Sequence, residues 1–170
     1  MSDEVKRIII VGGGTSGWIT ANILASKLNK FAQNVDITLI ESENIGIIGV
    51  GEGTFPTMRE TLQQIGIDEN TFLTKTNATF KQAIKFVDWT VCNTQESHSY
   101  YHLFDLPITP NGNDITQYWI NNQSQNVKYT DVVVVQDKLC DLGFAPKKIT
   151  SVQYKGISNY AYHLDAYLFA

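Results

Sequence analysis

The chain has 170 residues, of which 43% are hydrophobic, so it has the size and composition of one ordinary globular domain. Its net charge is −4 and its 13 Lys and Arg residues are scattered along the sequence, which argues against a nucleic-acid partner. No apolar run is long enough to span a membrane, so we expect no membrane partner. Cys92 and Cys140 lack the spacing of a metal site or a disulfide framework, so we expect a cytoplasmic protein with no metal centre.

A strand, a glycine turn, a helix and a second strand are predicted in that order over residues 6–41. The β-branched run at 6–11 stops at three glycines, a pattern of period 3.6 follows over 16–30, and a second apolar run occupies 35–40. This order is typical of the βαβ unit that binds dinucleotides, in which a pyrophosphate lies at the N-terminus of the helix. The sequence therefore predicts one parallel βαβ unit with an anion-binding turn.

The glycines of this turn have separate predicted roles. Gly12 would let the strand turn sharply, Gly14 would let the backbone approach a pyrophosphate, and Gly17 would let the helix pack closely on the strand. Glu41 ends the second strand, where an acidic side chain can accept hydrogen bonds from a ribose hydroxyl. A glycine-rich turn without a ligand is the alternative, but the flanking strands, helix and acid favour a bound dinucleotide.

The next stretch, residues 42–56, has glycines at positions 46, 49, 51 and 53, too many for a regular element. We expect a loop whose backbone presses against a flat cofactor. Two short helices follow, at 57–65 and 69–76, with Thr57 and Asp68 as their predicted N-caps.

The remainder of the chain is less regular. Residues 79–90 could begin as a helix and finish as a strand, which would place Lys81 and Lys85 one helical turn apart. Further on, the pattern indicates an aromatic segment at 101–106, a short helix at 115–121, a run at 132–135 that fits either a strand or a buried helix face, and a helix-like end at 159–170.

The predicted fold class is α/β, with an incomplete Rossmann-like βαβ unit and an irregular helical and aromatic segment. Residues 1–56 would form the N-terminal part of a cofactor-binding domain, and residues 57–170 the start of a substrate region. Two parallel strands are too few for a doubly wound sheet. We therefore expect the remaining strands beyond Ala170, in which case the chain is a fragment or a truncated reading frame.

Five blocks of the sequence resemble the flavin-dependent tryptophan halogenases, in order and over essentially the whole chain. They are Val-Gly-Gly-Gly-Thr-Ser-Gly-Trp at 11–18, Gly-Val-Gly-Glu-Gly-Thr at 49–54, Phe-Lys-Gln-Ala-Ile-Lys-Phe-Val-Asp-Trp at 80–89, Tyr-His-Leu-Phe at 101–104 and Tyr-His-Leu-Asp-Ala at 162–166. The resemblance implies a fold of the flavin monooxygenase type. It also implies FAD, a halide ion and O2, with reduced flavin supplied by a separate flavin reductase.

The same resemblance assigns roles to individual residues. It implies that Lys81 hydrogen-bonds hypohalous acid or forms a haloamine, and that His102 and Phe104 sandwich a small aromatic, indole-like substrate. From the residues alone, Lys81 would be a solvated lysine, Phe104 a core residue and His102 a buried histidine. The expected cofactor-binding residues are Gly12, Gly13, Gly14, Thr15, Ser16, Gly17, Glu41, Ser42, Gly51, Glu52 and Gly53.

The sequence also departs from the family pattern. Gly53 stands where the family usually has Ala, and the family's Trp-x-Trp-x-Ile-Pro motif and catalytic glutamate are not found in these 170 residues. Two alternatives therefore stay open at this point. One is another FAD-dependent monooxygenase or oxidoreductase, and the other is a non-catalytic flavin-binding remnant.

Overall fold

The computed structural model describes residues 5–30, 35–89, 98–122 and 127–170. In chain order the elements are β1 (Arg7–Val11), α1 (Thr15–Lys30), β2 (Asp36–Ile40), β3 (Gly51–Gly53), α2 (Thr57–Gln64), α3 (Glu69–Lys75), β4 (Thr79–Lys81), β5 (Ala83–Val87), β6 (Ser99–Leu103), a 3-10 turn (Pro110–Gly112), α4 (Thr116–Asn121), α5 (Tyr129–Val133), α6 (Gln136–Asp141), β7 (Ala161–Asp165) and α7 (Ala166–Phe169). No helix in these described ranges is long and apolar enough to cross a membrane.

The chain divides into two compact units. The first unit comprises Met1–Thr79 together with Ala161–Ala170, and the second unit comprises Phe80–Tyr160. Along the sequence, the second unit thus lies between the two segments that form the first. The functional division at residue 56 that the sequence suggests stays a prediction, because the compact units describe packing and not which residues hold a cofactor or a substrate.

The first unit begins with the predicted βαβ arrangement. β1 and β2 pair in parallel, from Arg7 opposite Asp36 to Val11 opposite Ile40, and α1 contacts both strands. Apolar residues at helical spacing on α1, such as Ile19 and Ile23, are half-buried, as expected for the face of a helix that lies on a sheet. The α/β fold class is confirmed, and each boundary lies within one residue of the predicted one wherever the chain is described.

Two predictions for the first unit are wrong in part, because the two segments concerned pair with each other. β3 lies within the stretch expected to be an irregular loop, and β7 lies within the end expected to be helical, of which only α7 at Ala166–Phe169 is a helix. The two strands are antiparallel, with Gly51 opposite Asp165 and Gly53 opposite His163. Local pattern could not show this pairing, because a short glycine-rich segment becomes a strand only when a distant partner supplies its hydrogen bonds.

The core of the first unit is organised around Tyr162, which is completely buried. Its ring contacts Phe72 edge-on, with centroids 4.9 Å apart, and its hydroxyl donates a hydrogen bond to the buried carboxylate of Glu69 at 2.8 Å. The Tyr162 carbonyl accepts a hydrogen bond from Thr54 N at 2.8 Å, which extends the pairing beyond β3. Tyr162 therefore connects β7 to α3 and to the residue that follows β3.

Only one of the two predicted helix caps in the first unit is correct. The Asp68 carboxylate accepts a hydrogen bond from Thr71 N at 2.7 Å, so Asp68 caps α3 as expected. Thr57 is wrong as a cap, because it is already the first residue of α2 and Pro56 precedes it as the N-cap without a side-chain hydrogen bond. Proline fixes the φ angle that a helix start requires, so α2 begins one residue earlier than the polar pattern indicates.

The second unit contains the antiparallel pair β5 and β6, which runs from Ala83 opposite Leu103 to Val87 opposite Ser99. The predicted helical start of residues 79–90 is wrong, because β4 occupies it, whereas the predicted strand finish is confirmed by β5. Lys81 and Lys85 therefore lie on the separate strands β4 and β5. The undecided run at 132–135 is helical through Val133, the last residue of α5, and this side chain is buried. The short helix predicted at 115–121 is confirmed by α4.

Candidate active site

The glycine turn between β1 and α1 needs glycine at two positions and has open space at a third. Gly12 has a φ of +118°, a value that side chains disfavour, and its N–H donates to Ile40 O at 2.8 Å. A Cβ on Gly17 would lie 1.9 Å from the Gly12 carbonyl oxygen, so only glycine lets α1 start this close to the turn. A Cβ on Gly14 would meet nothing within 4 Å, so the backbone there stays accessible to a ligand.

A cavity of about 410 Å³ opens beside this turn. It is lined by the ends of β1 and β2 and by the segment that follows β2, including Gly12, Gly13, Gly14, Glu41, Ser42 and Ile45. The Glu41 carboxylate lies over the turn, because a Cβ on Gly13 would come within 1.9 Å of Glu41 Oε2. N–H groups at a helix start, an open backbone and one carboxylate fit the pyrophosphate and ribose of a dinucleotide.

The glycine-rich loop reaches the start of α1 through one side-chain contact. Thr15 Oγ1 donates to Glu52 Oε1 at 3.5 Å, which joins two residues from separate predicted motifs. Glu52 is half-buried in β3, whereas its neighbours Gly51 and Gly53 are exposed. Ser16 and Ser42 are also exposed. The first unit thus brings the predicted cofactor residues to one region, and their binding role stays a prediction.

Lys81 lies at the end of β4 in a different environment. It is only 8% exposed, and its Nζ lies 5.6 Å from the centroid of the Phe104 ring. Burial lowers the pKa of Lys81 below its ordinary value of 10.5, because removing water disfavours the charged form. A lysine of this kind holds a neutral amine more readily than a surface lysine does.

Lys85 has the same side chain but opposite properties. It is exposed, and its Nζ forms an ion pair with Asp141 Oδ1 at 3.3 Å. Its Nζ also lies 4.9 Å from the centroid of the Tyr101 ring. Hydrogen bonding to Tyr101 and to Asp141 raises the pKa of Lys85, so its ammonium form is favoured. Of these two lysines, only Lys81 has the burial that suits a reactive amine.

His102 and Phe104 are placed differently from each other. His102 lies in β6 opposite Ile84 and is exposed, whereas Phe104 is 8% exposed and packs beside Lys81. β6 ends at Leu103, so strand alternation alone does not put the two rings on one face. The structure brings Phe104 and Lys81 together, and the substrate roles of both aromatic residues stay predictions.

Sequence reasoning missed Gln136, which begins α6 and is completely buried. Its Oε1 accepts hydrogen bonds from the backbone N–H groups of Phe104 and Asp105, both at 2.7 Å. A single glutamine carries no sequence signal for such a role, because the residues it contacts are about thirty positions away in the chain. Across the described parts of the chain, no group of three or more His, Cys, Asp or Glu residues is arranged to hold a metal ion.

Similarity to known proteins extends over the whole of this arrangement. A family profile described as tryptophan halogenase matches residues 7–170. The tryptophan 6-halogenase of Streptomyces toxytricini is 31% identical over 185 aligned positions, which cover 96% of this chain and 34% of that enzyme. The tryptophan 7-halogenase of Lentzea aerocolonigenes is 31% identical over 183 positions, which cover 100% of this chain and 33% of that enzyme.

Solved structures agree with the sequence relatives. A tryptophan halogenase from Shewanella frigidimarina superposes with a TM-score of 0.90 at 44% identity, covering 99% of this chain and 33% of that one. A flavin-dependent halogenase from Xanthomonas campestris gives a TM-score of 0.79 at 32% identity, covering 97% of this chain and 31% of that one. The chain thus spans about a third of the length of these relatives. The resemblance predicted from five sequence blocks is confirmed, and the chain belongs to the tryptophan halogenase family.

Proposed function

We propose that the protein containing this chain is an FAD-dependent halogenase that acts on tryptophan or a related indole. The observation that carries the proposal is Lys81, a buried lysine whose pKa is lowered by desolvation and whose Nζ lies beside the ring of Phe104. The names of the relatives, which are tryptophan or flavin-dependent halogenases, support the substrate class and the cofactor.

In this proposal the first unit holds FAD. The glycine turn and the N-terminus of α1 face the pyrophosphate, and Glu41 accepts hydrogen bonds from the ribose. When bound in its reduced form, FAD supplies the chemistry that converts O2 and halide into hypohalous acid. A separate flavin reductase is the proposed source of reduced flavin. A cytoplasmic location, expected from the cysteine usage, stays a prediction.

Lys81 is the proposed residue that places the halogen. Its neutral amine either donates a hydrogen bond to hypohalous acid or attacks the halogen, which forms an N–halogen bond and releases water. The aromatic ring then takes the halogen from the amine nitrogen and loses its ring proton, which restores the lysine. Phe104 forms part of the wall against which the substrate ring lies, because an aromatic side chain suits an aromatic ligand.

The test compares two lysines four residues apart, in the full-length protein because the chain spans a third of its relatives. Lys81→Met keeps the length of the side chain and removes the amine, and Lys85→Met is the matched control at an exposed position of β5. With L-tryptophan, chloride or bromide and reduced FAD, mass spectrometry should show that Lys81→Met lowers halogenated product by about 100-fold or more. The amount of halogenated product from Lys85→Met should stay within about twofold of the wild type, since exposed ion pairs contribute little to stability.

Flavin binding separates a chemical defect from a folding defect. Both variants should bind FAD with unchanged affinity, because the glycine turn belongs to the other compact unit. Halogenated product at the wild-type level from Lys81→Met would contradict the proposed role of the lysine. A wild-type protein that binds FAD and oxidises reduced flavin, yet yields no halogenated product from tryptophan or indole, would favour another FAD-dependent oxidoreductase.

A further inference from the structure

We propose that Gln136 is a positioning residue that fixes the backbone of Phe104 and thereby sets the place of its ring beside Lys81. The inference rests on the proposed function, because it concerns the wall of the substrate site. The hydrogen bonds of the Gln136 side chain go neither to Lys81 nor to the ring of Phe104. It acts through the main chain of Phe104, and no part of the five sequence blocks includes it.

The side chain of Gln136 uses all of its hydrogen-bonding capacity. Its Oε1 accepts from Phe104 N and Asp105 N, both at 2.7 Å. Its Nε2 donates to Ser158 Oγ at 2.8 Å and to Asn159 O at 2.6 Å. An amide offers two acceptor positions and two donor hydrogens, so this completely buried side chain is saturated. Saturated buried networks fix one arrangement, because any displacement leaves a buried polar group unpaired.

The same two residues are also held by the segment that contains Ser158 and Asn159. The Asp105 carboxylate accepts hydrogen bonds from Asn159 N at 2.6 Å and from Ser158 Oγ. Asn159 Nδ2 donates to the carbonyl oxygen of Phe104 at 2.9 Å. The N–H of Phe104 is therefore bound by the side chain of Gln136 and its C=O by the side chain of Asn159, and Gln136 also donates to the main-chain carbonyl of Asn159.

The need for this network follows from where the sheet ends. The ladder between β5 and β6 stops at the pair Ala83 and Leu103, so Phe104 is the first residue beyond it. Without the sheet, the backbone N–H groups of Phe104 and Asp105 require another acceptor when they are buried. Gln136 supplies that acceptor, and it holds the ring of Phe104 within 5.6 Å of Lys81 Nζ.

The experiment compares Gln136→Met with Gln117→Met in the full-length protein. Methionine has a similar length but no hydrogen-bonding groups, and Gln117 is exposed on α4, so its substitution is the matched control. The readouts are the isomer distribution of halogenated tryptophan, the Kd for indole and the Kd for FAD. A positioning role predicts about a tenfold larger share of minor isomers and about a tenfold weaker Kd for indole, with FAD binding unchanged.

A purely structural role would give a different result. Gln136→Met would then lower the thermal midpoint but leave isomer distribution and indole affinity at the values of Gln117→Met, which would overturn the inference. If Gln136→Met does not fold, Ser158→Ala decides. This variant keeps the hydrogen bond from Phe104 N to Gln136, but it removes one of the four bonds of Gln136 and also the bond from Ser158 Oγ to the Asp105 carboxylate. It loosens the same network at two points, so it should move both readouts in the same direction by a smaller factor. Unchanged readouts in Ser158→Ala would overturn the inference.

The inference and the proposed function fail in separate ways. Wild-type protein that makes no halogenated product counts against the proposed function, whatever the variants do. Indole binding is then still measurable, and weaker binding in Gln136→Met than in Gln117→Met would support the positioning role. Normal halogenation in the wild type with equal indole binding and equal isomer distribution in both variants would overturn only the role of Gln136.

Discussion

The glycine turn and the Lys81 region are built in opposite ways. The turn and its cavity come from a continuous stretch of chain, with β1, α1 and β2 following one another and Glu41 directly after β2. The Lys81 region draws on β4, the residue after β6, the first residue of α6 and the segment just before β7. One region is assembled by neighbours in sequence, and the other is assembled by packing.

Because of this contrast, a substitution in the turn should act through adjacent residues, whereas a substitution in the Lys81 region should act through residues that are distant in sequence. In the turn, a glycine is present either because a side chain would collide with the backbone or because the open space leaves room for a ligand. A substitution at a single position can therefore test one of these two roles. In the Lys81 region, the properties of the lysine come from burial and from a neighbour whose own backbone is held by a third residue. Three tests address this difference, from the largest expected effect to the smallest.

The largest effect is expected from Gly17→Ala. Its Cβ would lie 1.9 Å from the Gly12 carbonyl oxygen, so α1 must shift on the turn. We expect a loss of about 3 kcal/mol in the free energy of unfolding, measured by urea denaturation, because overpacking against backbone is not relieved by side-chain motion. FAD binding should be lost as well.

Gly14→Ala is the matched variant three residues earlier. Its Cβ would meet nothing within 4 Å, so the free energy of unfolding should change by less than about 0.5 kcal/mol. FAD affinity should nevertheless fall by about tenfold or more, because the methyl group occupies the path of the pyrophosphate. Normal FAD affinity in Gly14→Ala would show that the ligand does not approach the turn at this point.

A smaller effect is expected from Glu41→Ala. The carboxylate lies over the turn and lines the cavity, so its removal should weaken FAD binding by about 1.5 kcal/mol, roughly tenfold in Kd. Isothermal titration measures the change directly. Glu43→Ala, an exposed acid two residues further on, is the control and should bind FAD as the wild type does. Equal affinities for the two variants would mean that the ribose is held elsewhere.

The smallest effect concerns the pH dependence of stability in the second unit. Burial lowers the pKa of Lys81 below 10.5, so between its folded pKa and 10.5 the unfolded chain binds more protons than the folded chain. The contribution of Lys81 to stability should therefore rise with pH through this window. Subtracting the unfolding free energies of Lys81→Met from those of the wild type isolates this contribution.

Lys85 gives the opposite sign and serves as the internal control. Hydrogen bonding raises its pKa above 10.5, so its contribution is complete below that value and is lost as pH rises through the folded pKa. The difference between the wild type and Lys85→Met should thus decrease with pH. Difference curves of the same sign for both lysines would contradict the environments that the structure gives them.

Predictions made from short-range pattern mostly agree with the structure where the neighbours are close in sequence, and the cap at Thr57 is the exception. The strands around the glycine turn and the cap Asp68 are examples of this agreement, because turn geometry and capping depend on a few adjacent residues. The segments at 51–53 and 161–165 form strands where the pattern predicts a loop and a helix-like end, and β4 occupies the predicted helical start at 79–81. The predicted strand finish of that stretch is confirmed by β5. Strand formation in the three wrongly predicted segments depends on partners that pattern does not identify.

The sequence by itself determined the βαβ turn, the order of the family blocks and therefore the family, because these depend on residue type at fixed local spacing. Only the tertiary structure decided that Lys81 is buried while Lys85 is exposed, although both are lysines four positions apart. It also decided that Gln136 holds Phe104, through hydrogen bonds that span about thirty positions. The physical reason is that burial and pKa are properties of an environment, and the chain creates that environment only by bringing distant segments into contact.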